Sequence, residues 1–134
     1  MATRERYSKS TGAVCRLKYH IVWCPKYRRK VLTAPVDARL KDVLYEVAVE
    51  HQFIVYQMHV EPDHVRLFVE AGPTQSVAEI ANRFKGASSR ILRQEFPQLR
   101  SRLPTLWSRS YFASTAGDVS EAAIGRYIEL QKGG

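Results

Sequence analysis

The sequence has no long hydrophobic run and very little cysteine. No apolar stretch approaches the length that crosses a membrane, and the N-terminus lacks the apolar region of a signal peptide, so we expect a cytoplasmic protein with no membrane partner. The two cysteines, Cys15 and Cys24, match no metal-binding or redox spacing, so we expect reduced structural thiols. Repeats and low-complexity segments are absent as well. With 134 residues, the chain is long enough for one domain with a core.

Acidic residues are scarce, above all near the N-terminus. The chain has 21 Lys and Arg against 13 Asp and Glu, which gives a net charge of +8. Residues 1–30 contain nine basic side chains and a single acid, Glu5. Such a surface neutralises phosphates, and no basic amphipathic helix typical of membrane-surface binding accompanies it, so nucleic acid is the favoured partner over a merely solvated basic surface. We interpret residues 1–12 as a basic N-terminal arm and residues 13–134 as a single domain.

A short loop after the first strand combines an aromatic side chain with cations. Its residues are Lys26, Tyr27, Arg28, Arg29 and Lys30. A ring can stack on a base while cations hold phosphates, so the loop is a candidate site for single-stranded nucleic acid. The alternative is an ordinary loop in which Tyr27 only packs against its neighbours.

The stretch 53–70 predicts a β-hairpin, because two alternating apolar and polar runs flank Pro62-Asp63. With these two residues as the loop, the cross-strand pairs are Glu61 with His64, Val60 with Val65, His59 with Arg66, and Met58 with Leu67.

The two faces of this hairpin differ in chemistry. The predicted apolar face consists of Ile54, Tyr56, Met58, Val60, Val65, Leu67 and Val69. The opposite face collects polar groups that can bind a metal or take part in acid–base chemistry: Gln57, His59, Glu61, His64 and Arg66. We therefore place the candidate active site there; the alternative is the solvent face of an antiparallel sheet.

The remaining patterns predict a strand at 13–24, a helix from Pro35, a second helix from a Ser76–Glu79 capping box, a strand at 105–115 and a final helix at 119–132. The second helix has a basic side that includes Lys85 and Arg90, candidate phosphate-binding residues. The last helix places Tyr127 and Gln131, four residues apart, on one face. The order β-α-β-β-α-β plus a helix predicts an α+β, ferredoxin-like split βαβ fold: an antiparallel sheet with helices on one face.

Five motifs occur in this order: YHIVWCPKYR at 19–28, PDH at 62–64, FKGASS at 84–89, LW at 106–107 and RYIELQ at 126–131. Together they resemble the small single-tyrosine HUH transposases of bacterial and archaeal insertion sequences, which include the REP-associated tyrosine transposases. The resemblance runs from about residue 13 to residue 131.

The resemblance implies a DNA strand-transfer enzyme. In that family two histidines on one strand hold a divalent metal, Mg²⁺ or Mn²⁺, and a helical tyrosine attacks single-stranded DNA to form a 5′-phosphotyrosine. The proteins are homodimers that act on hairpin-bearing transposon ends. Carried over by position, His64 is the first metal ligand, Tyr127 the nucleophile and Gln131 a further ligand.

The chain departs from this pattern at the second histidine position, which is Arg66. Arginine stays protonated and cannot donate a lone pair to a metal. Three interpretations remain open: the protein is an inactive relative that still binds DNA, Arg66 binds the scissile phosphate, or His59 and Glu61 supply the missing ligands. From a different functional class, a non-catalytic single-stranded DNA- or RNA-binding module on the same fold is the alternative.

Overall fold

The computed structural model describes residues 16–115 and 121–131. Its sheet has four antiparallel strands in the order β2-β3-β1-β4. The strands are β1 (Leu17–Trp23), β2 (Ile54–Glu61), β3 (His64–Ala71) and β4 (Phe112–Thr115). The helices are α1 (Val36–His51), α2 (Val77–Glu95), α3 (Pro97–Arg102) and α4 (Glu121–Leu130). This is the predicted ferredoxin-like arrangement, and the fold class is confirmed. Among the helices described, none is long and apolar enough to cross a membrane.

The hydrophobic core lies between one face of the sheet and the helices α1 and α2. The apolar stripe of α1 is buried: Val36, Leu40, Val43, Leu44 and Val47. Helix α2 begins at Ser76, where the predicted capping box is present in both directions. The rings of Phe84 and Trp107 lie against Trp23, with centroid distances of 6.4 and 5.8 Å. The sheet residues that close this core are Ile21, Trp23, Val65, Leu67 and Val69.

The hairpin has the predicted register from Met58 to Leu67, but its first half is shifted. All four predicted pairs are present, with Pro62 and Asp63 between the strands. A β-bulge between Val55 and Gln57 then reverses the faces, because one extra residue inverts the alternation. The assignment of Ile54 and Tyr56 to the apolar face is therefore wrong. The Tyr56 hydroxyl donates to Glu70 on the other face, at 2.7 Å.

The predicted strand 105–115 is shorter than expected, because only Phe112–Thr115 pairs with β1. The preceding segment forms one isolated bridge, Trp107 with Pro25 just after β1, and the carbonyl groups of residues 108–110 turn toward the side chain of Lys85. Carbonyls held by an ammonium group are not available for a strand ladder. The short helix α3, with a proline in its first turn, precedes this segment.

Several predictions fall outside the described residues. These are the basic arm 1–12, the start of the first strand with Cys15, and the outer ends of the last helix at Val119 and Lys132. Within the described part, β1 begins at Leu17 and α4 extends from Glu121 to Leu130.

Candidate active site

Four polar side chains form a hydrogen-bonded group between α4 and the segment before β4; we call it the tyrosine cluster. It consists of Tyr127, Gln131, Ser108 and Ser110. The Tyr127 hydroxyl lies 3.0 Å from Ser110 Oγ. Gln131 Oε1 accepts hydrogen bonds from the hydroxyls of Ser108 and Ser110, each at 3.1 Å. The predicted pair Tyr127 and Gln131 is therefore brought together by two serines that sequence reasoning missed.

The hydrogen-bond directions within the tyrosine cluster follow from the number of protons. A serine hydroxyl has one proton, and Ser110 donates it to Gln131, so the Tyr127 hydroxyl donates to Ser110. Burial raises the pKa of Tyr127 above its usual value of 10.0, while the hydrogen bond to Ser110 opposes that shift. At neutral pH the phenol is thus protonated, and its proton points to Ser110.

His64 stands at the first position of β3, opposite Glu61. Its Nδ1 lies 2.9 Å from Asp63 Oδ1. A donor bond from Nδ1 to this carboxylate leaves Nε2 with its lone pair, which is the state that ligates metals. Asp63 Oδ2 in turn lies 3.5 Å from Arg28 Nε.

Arg66, at the position of the second histidine, points its charge at α4. Its Nη1 and Nη2 lie 3.0 and 2.7 Å from the two carboxylate oxygens of Glu121. Next to this pair, burial and the Arg66 cation lower the pKa of His20, so this imidazole is neutral at pH 7. His59 is the cross-strand neighbour of Arg66, as predicted, and is exposed.

These residues do not fit a divalent metal site built on two imidazoles. Across residues 16–115 and 121–131, no group of three His, Cys, Asp or Glu side chains is arranged to hold a metal ion. Arg66, at the position where the family resemblance implies the second ligand, is a permanent cation, which would repel a metal. Gln131 Oε1 already accepts two hydrogen bonds.

The polar face also has aromatic side chains that the sequence did not predict there. The ring of Phe68 stacks on His20 with centroids 4.4 Å apart, and Tyr56 packs against Phe68 at 5.6 Å. The ammonium of Lys18 lies 5.0 Å from the centre of the Tyr56 ring. These rings cover one another and a cation, which leaves less ring surface for stacked bases than an open pair of aromatics would offer.

The predicted phosphate-binding loop contains a tight turn. Tyr27 and Arg28 have positive φ values of 60° and 50°. The Lys26 ammonium lies 5.2 Å and the Arg29 guanidinium 5.9 Å from the centre of the Tyr27 ring. Tyr27, Arg29 and Lys30 are exposed, which suits contact with a phosphate chain.

Arg28 has a different place from the other cations of this loop. Its Nη1 donates to the Glu129 carboxylate at 3.3 Å and to the backbone oxygen of Ile128 at 3.5 Å. Its Nε meets Asp63. Arg28 thus links the loop and the β2–β3 turn to α4, and it is less accessible than predicted for a DNA contact.

The basic side of α2 borders a groove of about 320 Å³ against α1. Arg83, Gly86 and the predicted DNA-binding residue Arg90 line it, with Glu50 and His51 on the α1 side. A Cβ at Gly86 would meet nothing within 4 Å, so the groove has unfilled space at this glycine, between Arg83 and Arg90. Lys85, in contrast, points to the segment before β4.

Comparison with known proteins shows which family the chain matches. The family model described as "Transposase IS200 like" matches residues 13–131. ISDra2 transposase TnpA of Deinococcus radiodurans is 40% identical over 125 residues, covering 92% of this chain and 89% of the relative. The transposase for insertion sequence element IS200 of Salmonella typhimurium is 29% identical over 116 residues, covering 85% of this chain and 76% of that protein.

Two solved structures are similar as well. A crystal structure of a proposed transposase from Deinococcus radiodurans superposes with a TM-score of 0.83 at 35% identity, covering 92% of this chain and 96% of the other. The REP-associated tyrosine transposase bound to a REP hairpin superposes with a TM-score of 0.54 at 12% identity, covering 84% and 62%, which supports the fold alone. The chain belongs to the IS200-like transposase family.

Proposed function

We propose that this protein cleaves and rejoins single-stranded DNA with Tyr127 as the nucleophile. The observation that carries the proposal is the tyrosine cluster, in which the Tyr127 hydroxyl lies 3.0 Å from Ser110 Oγ and Ser110 is held in turn by Gln131. The phenol oxygen bonds to phosphorus as the bond from phosphorus to the 3′ oxygen breaks. The phenol proton leaves and the 3′ oxygen gains one, which gives a 5′-phosphotyrosine and a free 3′-OH. Attack of a 3′-OH on the phosphotyrosine rejoins strands and restores the phenol.

The Ser110 hydroxyl suits both protonation states of the nucleophile. It accepts from the phenol before attack, and by rotating it can donate to a phenolate, while Ser108 keeps its bond to Gln131. In the resting state Gln131 is held by both serines and stabilises their orientation. We propose that this arrangement prepares Tyr127 for attack without a strong base next to it.

We propose that the chain binds Mg²⁺ or Mn²⁺ weakly and therefore cleaves slowly. His64 Nε2 and the Gln131 amide oxygen would be its ligands. When bound, the ion would stabilise the charge that develops on the leaving oxygen. The Arg66 cation opposes its binding. His59 and Glu61, both exposed on β2, are the further candidates for this ion.

We propose that the DNA substrate is single-stranded and bears hairpins, as at transposon ends. The net charge of +8 and the exposed Tyr27, Arg29 and Lys30 support a partner with a phosphate backbone. A structural relative is described as bound to a REP hairpin. The groove beside Arg90 provides a second basic surface.

We propose further that the protein acts as a homodimer, as the family resemblance implies. Light scattering at micromolar concentration should give twice the chain mass of 15.4 kDa. If α4 of one copy completes the site of the other, mixing Tyr127→Phe with His64→Ala should restore part of the cleavage that each variant lacks. Failure of such mixing in a proven dimer would place the whole site within one chain.

A second candidate is a DNA-binding protein that does not cleave. The Arg66–Glu121 pair favours it, since it occupies the place of the second ligand. A direct test incubates the protein with single-stranded hairpin DNA and Mn²⁺ and searches a tryptic digest by mass spectrometry for a nucleotide on Tyr127. A modified Tyr127 peptide supports the enzyme, and tight binding without modification supports the alternative.

A further inference from the structure

Helix α2 holds the segment before β4 through a buried hydrogen-bond network. Trp107 Nε1 lies 3.0 Å from Ser88 Oγ and 3.1 Å from the Lys85 backbone oxygen. Ser88, fully buried, donates to the Phe84 backbone oxygen at 2.6 Å. The FKGASS and LW motifs of the sequence therefore meet in space, which fixes Trp107 one residue before Ser108.

The side chain of Lys85 continues this attachment along the segment. Its Nζ donates to the backbone oxygens of Ser108 at 2.9 Å, Arg109 at 3.3 Å and Ser110 at 3.0 Å. An ammonium group has three N–H donors, so these carbonyls use all of them. Burial lowers the pKa of Lys85 to about 8, which still leaves the side chain a cation at pH 7.

The two outer residues that Lys85 holds are the two serines of the tyrosine cluster. Ser108 and Ser110 turn their carbonyls to the ammonium and their hydroxyls to Gln131, and Ser110 also accepts from Tyr127. A neutral side chain at position 85 would leave three carbonyls without this donor in a partly buried place. The segment would then rearrange, and the hydroxyls would move with it.

We propose that Lys85 is a positioning residue for the nucleophile: it fixes the backbone at 108–110 so that Ser110 holds the hydroxyl of Tyr127. This rests on the proposed role of Tyr127 as nucleophile. It differs from the phosphate-binding role that the sequence suggested for Lys85, because a phosphate would have to displace a backbone carbonyl from the ammonium.

The test compares Lys85→Met, Lys85→Arg and the control Lys41→Met, which removes an exposed cation from α1. The first readout needs no activity: the NMR resonance of the Tyr127 ring carbon that bears the hydroxyl, in protein labelled at that carbon. We expect Lys85→Met to shift this resonance, Lys85→Arg to restore it in part, and Lys41→Met to leave it unchanged.

The second readout separates positioning from DNA binding. Lys85→Met should reduce the rate of Tyr127–DNA adduct formation by about 10- to 100-fold, as expected for a misplaced reacting group, with the salt dependence of DNA binding unchanged. A decrease of about 0.7 in the salt slope with an unshifted Tyr127 resonance would instead make Lys85 a phosphate contact and overturn the proposal.

If Lys85→Met does not fold, Lys85→Gln takes its place, because its amide has only two N–H donors for the three carbonyls. An unshifted Tyr127 resonance in that variant contradicts the proposal, and a shift supports it. If the native protein forms no adduct at all, the proposed function fails. The resonance still decides whether Lys85 positions Tyr127.

Discussion

The guanidinium of Arg66 binds both carboxylate oxygens of Glu121, at 3.0 and 2.7 Å, and joins β3 to the first turn of α4. Arg66 stands where the family resemblance implies a second metal-binding histidine, and it has a partner on the helix that contains Tyr127. A DNA phosphate at Arg66 would compete with Glu121, whose carboxylate is 75% exposed. The same side chain that cannot serve as a metal ligand attaches α4 to β3.

This pairing makes a prediction about pH. The hydrogen bonds and charge of Arg66 lower the pKa of Glu121, so the pair stabilises the folded protein above the usual glutamate pKa and loses that contribution as pH falls through the lowered value. Arg66→Met should return the Glu121 pKa to its ordinary range in an NMR titration. Glu95, paired with Arg39 in the same two-bond manner, is the matched control and should keep its lowered pKa.

The exposed cations of the loop after β1 should determine part of the salt dependence of DNA binding. Replacing Arg29 and Lys30 together by Gln should reduce the slope of log affinity against log salt by up to about 1.4, if each contacts one phosphate. Arg28 is left intact because it holds Asp63 and Glu129. Arg39→Gln, on α1, is the control. An unchanged slope in the double variant would place the DNA elsewhere, with the groove at Arg90 next to be tested.

The thiol of Cys24 should be unreactive in the folded protein. Burial raises its pKa to about 12, with the Asp63 carboxylate adding to the shift. Relative to an ordinary thiol of pKa 9.0, the thiolate fraction at pH 8 falls by about 1000-fold. Iodoacetamide labelling of the Cys15→Ser variant should therefore be slow until urea unfolds it. Rapid labelling in the folded state would contradict the buried position of β1's end.

The buried network at Ser88 should contribute measurably to stability. Ser88→Ala removes a donor to Phe84 and an acceptor for Trp107, so we expect a loss of about 1–3 kcal/mol in the free energy of unfolding. Urea denaturation followed by tryptophan fluorescence measures it. Ser89→Ala, one position along the same helix and only partly buried, should have a smaller effect. Equal effects would mean that the network contributes little.

Local patterns predicted the parts of the fold that depend on local rules. Turn chemistry at Pro62-Asp63 and strand alternation gave the hairpin register, and Ser76 with Glu79 gave the start of α2. The bulge at Tyr56 could not be predicted, because the residue pattern of 54–60 fits both a regular strand and a strand with one extra residue. A contact between strands accompanies it, since the Tyr56 hydroxyl donates to Glu70 on the neighbouring strand.

The candidate site was predictable only where a motif pointed to it. His64, Tyr127 and Gln131 followed from the resemblance, and their presence on β3 and around α4 follows the expected topology. Ser108, Ser110 and Glu121 belong to no motif that would have marked them. Each gains its role from a contact across the chain, with Gln131, Tyr127 or Arg66, that no local spacing encodes.

Restoring the second histidine should strengthen metal binding. Positions 64 and 66 lie on one face of β3, so Arg66→His gives two imidazoles that can converge on one ion, and it removes a repelling cation. We expect tighter Mn²⁺ binding by calorimetry than in the native chain. Glu121→Gln, which breaks the pair but keeps Arg66, is the control and should not improve it.

The most direct measurement of the central claim is the yield of covalent protein–DNA adduct on single-stranded hairpin DNA with Mn²⁺. Denaturing gels should compare the native chain with Arg66→His, Glu121→Gln and Tyr127→Phe. We expect a low yield in the native chain, a higher yield in Arg66→His, and none in Tyr127→Phe. Efficient cleavage by the native chain that Arg66→His weakens would contradict the impaired metal site and make Arg66 a phosphate-binding residue. No adduct in either protein, with DNA binding intact, would contradict the role of Tyr127 itself.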